Sequence, residues 1–281
     1  MSLLEKIEKV DSRYIWLILL ALYAIPVIQP IGIPLPISQQ TKTFYDRIMR
    51  LKSGDIVMWE ISSRLAMISE QEPGVTAVSK HLFSRKIKVA YFCFETEGPV
   101  FLELIMRGVS PETRFGAKYG EDYVNLGYVA GGETAMVSMM SDVWKTTPTD
   151  YFKNRMESLP MMAKLHSASD AALLLASYGD VPDMRIRSYS VKAGLTGDRA
   201  WVAVVGGSHG PALIPYIASK DVAAMLAGAV PGAEYEKLIG FPGKGLVYTD
   251  IISMAHICLV GAIVVANVTF LGLRRKGGTG K

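Results

Sequence analysis

The sequence has few cysteines, no low-complexity segment and no excess of charge before its last residues. Only two of its 281 residues are cysteine, Cys93 and Cys258, so a disulfide framework is excluded. Residues 41–250 carry equal numbers of acidic and basic side chains, and the net charge of +4 comes from the end of the chain. Binding to a nucleic-acid backbone needs a basic stripe. We therefore expect no nucleic-acid partner.

What the sequence does have is long apolar runs, one near each end. Residues 251–273 contain no acid, lysine or arginine, and three basic residues follow them. A helix of about 20 residues crosses a bilayer core, and a soluble helix would show a polar stripe. The run predicts a transmembrane helix over residues 250–273 with a basic tail, residues 274–281. Its small residues Gly261, Ala262 and Ala266 permit close helix contact.

The first apolar run covers residues 14–38, after a short terminal segment, residues 1–13. Its first dozen residues suit a helix, and four prolines crowd the rest: Pro26, Pro30, Pro34 and Pro36. Because a kink is tolerated within a membrane, we expect a span that bends near Pro26 and leaves as an extended, Pro-rich strap. A cleaved signal peptide is the alternative. No small-x-small cleavage site follows the run, which favours a retained anchor.

Two spans would place both termini on one side of the cell membrane and residues 39–249 on the other. Positive charge close to a span favours the cytoplasmic side. The basic tail therefore predicts cytoplasmic termini and an extracytoplasmic central domain, with the lipid bilayer as a partner. The first span gives no preference, and the reverse orientation is the alternative.

The central domain alternates short apolar runs with segments of helical period. The five apolar runs are residues 55–61, 87–94, 122–129, 170–177 and 199–205, of which 170–177 also suits a helix. The helical segments are residues 74–85, 98–109, 132–145, 182–192 and 211–218, with residues 221–238 as a last helix. Continuous apolar runs are typical of strands buried on both faces. The pattern predicts a Rossmann-like α/β domain with a mainly parallel sheet of about five strands.

Polar and glycine-rich residues follow the predicted strands. In such sheets, ligands bind at the carboxyl ends of the strands. The candidate ligand-binding residues there are Glu60, Glu95, Gly131, Gly132, Glu133, Thr134 and Ser208. The alternative is that these residues only form turns and cap helices, as such residue types commonly do.

Residues 206–210 match G-x-S-x-G, the nucleophile-elbow pattern of serine hydrolases, between a predicted strand and helix. Ser208 is the candidate nucleophile and His209 its neighbour. A hydrolase of this kind needs a later histidine, and the only one is His256, inside the second apolar run. Glu60 and Glu95 are the alternative acid–base pair if they converge. No histidine has a second ligand at metal spacing, so we expect no metal and no cofactor.

Two segments carry a family resemblance: residues 118–128 (KYGEDYVNLGY), with GGE following, and residues 232–238 (GAEYEKL). They resemble signatures of an uncharacterised prokaryotic family of two-span membrane proteins with a central α/β domain. The resemblance covers nearly the whole chain and implies its architecture, but no activity. Glu234 and Glu236 would contact a neighbouring subunit or the strap, or else form a solvated helix face.

Three functions remain open from the sequence. The first is a non-enzymatic, membrane-anchored domain that forms a homo-oligomer or joins a larger membrane complex. The second is a small-ligand sensor or binding domain that uses the strand-end loops. The third is a membrane-bound hydrolase with Ser208 as nucleophile, or an acid–base catalyst that uses the glutamates.

Overall fold

The computed structural model describes residues 10–29 and 31–278, in two compact units. One unit is Leu35–Gly245, and the other combines the described residues before Leu35 with those from Leu246 onward. Most of the predicted terminal segment, together with Pro30 and the last three residues of the basic tail, lies outside the described residues.

The Leu35–Gly245 unit is built on a six-stranded sheet in the order β3-β2-β1-β4-β5-β6, and every neighbouring pair is parallel. The strands are β1 (Ile56–Ser62), β2 (Lys88–Cys93), β3 (Tyr123–Tyr128), β4 (Leu173–Tyr178), β5 (Trp201–Val205) and β6 (Val222–Ala227). The predicted parallel α/β layering is confirmed, and the sheet has six strands rather than about five.

The helices cover both faces of this sheet or belong to the second unit. In chain order they are α1 (Ser12–Ile28), α2 (Gln39–Met49), α3 (Ile68–Ser84), α4 (Gly98–Val109), α5 (Pro111–Phe115), α6 (Gly132–Ser141), α7 (Val143–Thr146), α8 (Asp183–Arg185), α9 (Gly210–Ala218), α10 (Ala229–Ile239) and α11 (Lys244–Gly278). A π-helix, Ile186–Lys192, continues α8, and short 3₁₀ turns are Leu65–Met67, Met156–Ser158, Pro160–Lys164, Gly197–Arg199 and Gly207–His209.

Two hydrophobic cores lie on opposite faces of the sheet, because successive strand residues point to opposite sides. Met58 and Phe92 belong to one core, and Val57 and Trp59 to the other. All seven residues of β1 are buried. This is why the apolar runs are continuous rather than alternating, as expected for a central parallel strand.

The predicted last helix, residues 221–238, is wrong in its first part. Residues Val222–Ala227 form β6, and only Ala229–Ile239 is helical. The sequence VAAMLA carries little strand propensity of its own, but it pairs along β5, and this tertiary context decides the conformation. The predicted helix over residues 132–145 also divides at Asp142, whose side chain caps α7 by accepting from the amide of Lys145.

The structure supports one of the two predicted spans and does not confirm the other. Among the described residues, one helix is long and apolar enough to cross a membrane, Lys244–Arg274. Helix α1 has 17 residues, includes Pro26, and falls short of that length. After α1, the backbone amides of Ile31, Gly32 and Ile33 donate to the Asp250 carboxylate at 2.8–3.0 Å.

Candidate functional site

The strand order brings the carboxyl ends of β1 and β4 together at the point where the chain changes direction across the sheet. Open α/β sheets bind ligands outside the strand ends at this switch point. Glu60 lies near the end of β1, between Phe92 of β2 and Ala176 of β4. Tyr178 ends β4, and Asp180 follows it.

A buried ion pair occupies this region. Glu60 has no exposed surface and Arg185 is 2% exposed. The Nε of Arg185 lies 3.0 Å from both carboxylate oxygens of Glu60, and its Nη2 lies 2.6 Å from Oε1. The Tyr189 hydroxyl donates to the other oxygen, Oε2, at 2.6 Å. Every oxygen of this carboxylate therefore has a donor from the protein.

The remaining groups around Arg185 hold its guanidinium in place. Its Nη1 donates to Asp180 Oδ1 at 2.6 Å, and its Cζ lies 3.9 Å from the centre of the Tyr178 ring. A guanidinium over an aromatic ring gains a cation–π interaction as well as its hydrogen bonds. We call Glu60, Asp180, Arg185 and Tyr189 the switch-point cluster.

The local backbone explains how two residues four apart reach one carboxylate. Arg185 ends α8, and the π-helix that follows carries Tyr189. A π-helix has a wider turn than an α-helix, and such segments often lie at functional or closely packed positions. The cluster thus joins β1, the turn after β4 and the π-helix.

Arg185 and Tyr189 both keep their protons near neutral pH. Burial by itself lowers the pKa of Arg185, but the charges of Glu60 and Asp180 raise it by more, so this pKa lies above its ordinary value. Burial, followed by the charge of Glu60, raises the pKa of Tyr189 well above its ordinary value. The phenol stays protonated and donates, and neither group exchanges a proton near pH 7. This geometry suits a structural clamp better than acid–base chemistry.

The crevice at the switch point is also occupied by the loop and helix that follow β1. A Cβ at Gly206 would clash with Cε of Met67, and a Cβ at Gly179 would lie 3.2 Å from Cγ of Met67. The Glu70 carboxylate accepts from the Gly207 amide at 2.6 Å. Met67 and Glu70 therefore cover the ends of β4 and β5, next to the switch point between β1 and β4.

The other predicted strand-end residues are brought to separate places. Glu95 lies 3.3 Å from Arg64, and Glu133 lies 2.9 Å from Arg187 and 3.1 Å from Lys192. Gly131 and Gly132 precede Glu133 with φ of 126° and 55°, conformations that favour glycine, and Thr134 continues α6. Glu60 is buried in its own cluster, so Glu60 and Glu95 do not form an exposed pair. Among residues 10–29 and 31–278, no three His, Cys, Asp or Glu side chains are placed to hold a metal.

Ser208 lies where the hydrolase pattern places it, between β5 and α9, but without the features of a nucleophile elbow. Such an elbow strains the serine and leaves the following amide free for an oxyanion. Ser208 is not among the described residues with positive φ. The His209 amide donates to Gly206 O at 3.0 Å. Within the described part of the chain, the one histidine in hydrogen-bond contact with Ser208 is its neighbour His209, at 3.3 Å from Oγ to Nδ1.

The glutamates of the GAEYEKL segment are buried rather than solvated. Glu234 Oε2 accepts from the amide of Ser38 at 3.0 Å and from its hydroxyl at 2.6 Å. Lys237 Nζ donates to Leu35 O at 3.1 Å. Glu236 accepts from the amides of Gly243 and Gly245. The alternative that α10 holds the last residues of the strap is the one the structure favours.

Glu60 was predicted from the sequence as a site residue, whereas Arg185 and Tyr189 were not. Arginine is seldom buried, and Arg185 stands in the run RIRSYS, where Arg187 is exposed. No local signal distinguishes the two arginines.

No protein-family model matches this chain, and no curated protein or solved structure matches it either. The geometry of the chain itself is therefore the basis on which a function is inferred.

Proposed function

We propose that this protein is a membrane-anchored α/β domain that serves as a structural or assembly component of a homo-oligomeric membrane complex. The observation that carries this proposal is α11. Over Lys244–Arg274 its apolar window has a mean hydropathy of 2.2, and none of that window is buried. An apolar surface of this length needs lipid or protein to cover it.

The two-span arrangement is part of the proposal. A span needs about 17–25 residues, and the 17 residues of α1 reach the lower end of that range. Apolar side chains of α1 are open to the surroundings; Trp16 is 67% exposed and Leu20 is 65% exposed. The basic residues Arg274, Arg275 and Lys276, which follow the apolar run in the last turns of α11, favour a cytoplasmic C-terminal end. The termini are then cytoplasmic and the Leu35–Gly245 unit is extracytoplasmic. The resemblance to two-span proteins implies a span at each end of the α/β domain and says nothing of this orientation.

A groove on α11 supports assembly with a second copy. A cavity of about 710 Å³ lies between α1 and α11 and is lined by Ile15 and Ile18 on one side and by Ala262 and Ala266 on the other. Ala262 and Ala266 are one helical turn apart, and small residues at this spacing let a second helix approach closely within a membrane. The switch-point cluster is consistent with a structural function, because its charged side chains pair with one another inside the protein.

The first experiment measures membrane attachment and mass. The full chain should stay in the vesicle pellet after alkaline carbonate washing and should have a mass above the monomer in maltoside micelles. Ala262→Leu and Ala266→Leu should lower that mass, because the larger side chains fill the groove. Ala255→Leu, on the same helix but outside the groove, is the matched control and should leave the mass unchanged. Release by carbonate would contradict the anchoring, and a monomer at every concentration would contradict the assembly.

The second experiment tests orientation. A protease added to intact spheroplasts should cleave the central domain and spare epitope tags at both ends. Cleavage of the tags with protection of the domain would establish the reverse orientation, and cleavage of one tag alone would exclude the two-span arrangement.

A further inference from the structure

A cavity of about 470 Å³ lies between α4, α5 and the edge strand β3, and the proposed function does not use it. Small-molecule sites typically have volumes of this order. Its walls include Tyr119, Tyr123 and Asn125 from the KYGEDYVNLGY segment, together with the ring of Phe152, which is 54% exposed. The segment that the sequence singles out therefore forms one side of a cavity.

Three aromatic rings meet nearly at right angles in this cavity. The ring centroids of Tyr119 and Tyr123 are 5.2 Å apart with an interplanar angle of 90°, and those of Tyr119 and Phe152 are 5.2 Å apart at 80°. The Tyr119 hydroxyl donates to Asp150 at 2.7 Å, and the Tyr123 hydroxyl donates to Glu112. Because both hydroxyls are engaged, the ring surfaces are what these tyrosines offer to a ligand.

The cavity has more acidic than basic side chains. Glu103 and Glu112 line it against one cation, Arg107. Within the described ranges, neither glutamate takes part in a salt bridge, and Glu103 accepts a single long hydrogen bond, 3.5 Å from Asn125 Nδ2. Burial, followed by the hydrogen bond to Glu112, raises the pKa of Tyr123 above its ordinary value, so its phenol remains a neutral donor.

We propose that this cavity binds a small organic ammonium ion, with its charge facing Glu103 and its alkyl groups against Tyr119, Tyr123 and Phe152. Aromatic rings attract a cation through their faces, and ammonium groups are commonly held in aromatic cages. An anion would meet two carboxylates. A metal ion would need a cluster of ligating side chains, and none occurs among the described residues. An ammonium ion supplies the charge that Glu103 lacks and the apolar surface that the rings can cover.

The test uses the full chain in maltoside micelles, whose headgroup carries no ammonium. Choline is titrated by calorimetry, and 3,3-dimethyl-1-butanol, its uncharged isostere, is titrated at the same ionic strength. We expect saturable choline binding and at least about tenfold weaker binding of the isostere, because the isostere has no charge to pair with Glu103.

Two substitutions locate the binding. Phe152→Ala should weaken choline binding about fivefold by removing one ring, and Glu103→Gln should weaken it about tenfold by removing the charge. Val100→Ala, exposed on the same helix, and Glu157→Gln, an exposed glutamate outside the cavity, are the matched controls and should bind choline as the parent chain does. Melting temperatures equal to that of the parent confirm that the variants are folded.

A dissolved ion and a lipid headgroup carry the same chemistry, and nanodiscs distinguish them. An uncharged glycolipid serves as the comparison, because an anionic lipid would itself concentrate choline at its surface. Weaker apparent choline binding in phosphatidylcholine than in glycolipid nanodiscs would assign the headgroup as the occupant, and equal binding would assign a dissolved ion. The proposal is overturned if choline does not bind, if the isostere binds as tightly as choline, or if Phe152→Ala and Glu103→Gln bind like their controls. None of these results bears on whether the chain is anchored or oligomeric.

Discussion

Arg185 Nη2 lies 2.6 Å from Glu60 Oε1, with both side chains removed from solvent. Removing one partner of such a pair leaves an uncompensated buried charge, which costs about 3–5 kcal/mol. Arg185→Met should therefore lower the free energy of unfolding by that order, measured by denaturation of the full chain in detergent. Arg187→Met is the matched control, because Arg187 pairs with Glu133 on the surface and solvent-exposed ion pairs contribute little to stability. Equal losses in both variants would show that the cluster is not a clamp.

The packing of α4 against β1 and β2 predicts that Gly98 cannot be enlarged. A Cβ there would clash with the backbone oxygen of Ile61 and lie 2.7 Å from Cβ of Cys93, whereas a Cβ at Gly108, on the same helix, would meet no atom within 4 Å. Because strand backbone cannot move aside as the end of a flexible side chain can, Gly98→Ala should destabilise the protein by about 1–3 kcal/mol, as overpacked sites do. Gly108→Ala is the matched control and should not destabilise the protein. Thermal denaturation measures both variants, and an unchanged melting temperature in Gly98→Ala would contradict the packing.

The buried side chain of His81 should make the stability of the protein sensitive to acid. Burial, followed by the charge of Arg85, lowers the pKa of His81 to about 4, from an ordinary value of 6.5. Its Nδ1 lies 2.7 Å from the Tyr235 hydroxyl. Between these two pH values, His81 binds a proton in the unfolded chain but remains neutral in the folded chain. The stability contributed by neutral His81 is therefore present above pH 6.5 and is lost as pH falls toward 4, by up to about 3 kcal/mol.

The check is the melting temperature between pH 7.5 and pH 4.5. His81→Gln should flatten this dependence, whereas His166→Gln, at an exposed histidine, should leave it as in the parent chain. A parent chain whose melting temperature does not fall below pH 6.5 would show that His81 is not held neutral.

The hydrogen bonds of Asp250 predict that its carboxylate holds the backbone of the strap in place. Its carboxylate accepts the amides of Ile31, Gly32 and Ile33, and hydrogen bonds to a charged group contribute about 1.5–3 kcal/mol each. Asp250→Ala should leave these amides without their acceptor, so hydrogen exchange at residues 31–33 should accelerate. Asp183→Ala, at an exposed aspartate, is the control. Unchanged exchange at residues 31–33 in Asp250→Ala would mean that other contacts hold the strap.

Ser208 should be chemically inert. Because its following amide already donates to Gly206 O, an oxyanion would find no free donor there, and such donors are a main source of acyl-transfer rate. A fluorophosphonate probe should leave Ser208 unlabelled in the folded chain, as judged by mass spectrometry of its peptide. Labelling that His209→Ala abolishes would restore the hydrolase hypothesis.

The sequence alone was sufficient to predict the strands whose burial follows from their own apolar residues. Continuous apolar runs predicted β1 to β5, because a central parallel strand has no solvent face. The sixth strand was missed since VAAMLA forms a strand only by pairing along β5. At the switch point, Glu60 was predicted from its place at the carboxyl end of an apolar run, residues 55–61. Arg185 was missed because its burial depends on long-range contact with Glu60 and not on any local pattern.

The π-helix sets a limit on the length of its segment. Removing one of residues 186–188 would take out the extra residue that distinguishes a π-helical turn from an α-helical one, so the segment could return to α-helical pitch with its ends still in register. Tyr189 would then follow Arg185 by three positions instead of four, and both spacings place two side chains on one face of a helix. An insertion would instead add a second extra residue and turn Tyr189 about 100° away from Glu60. Homologues that keep this hydroxyl on the carboxylate should consequently tolerate the loss of one residue here but not a gain.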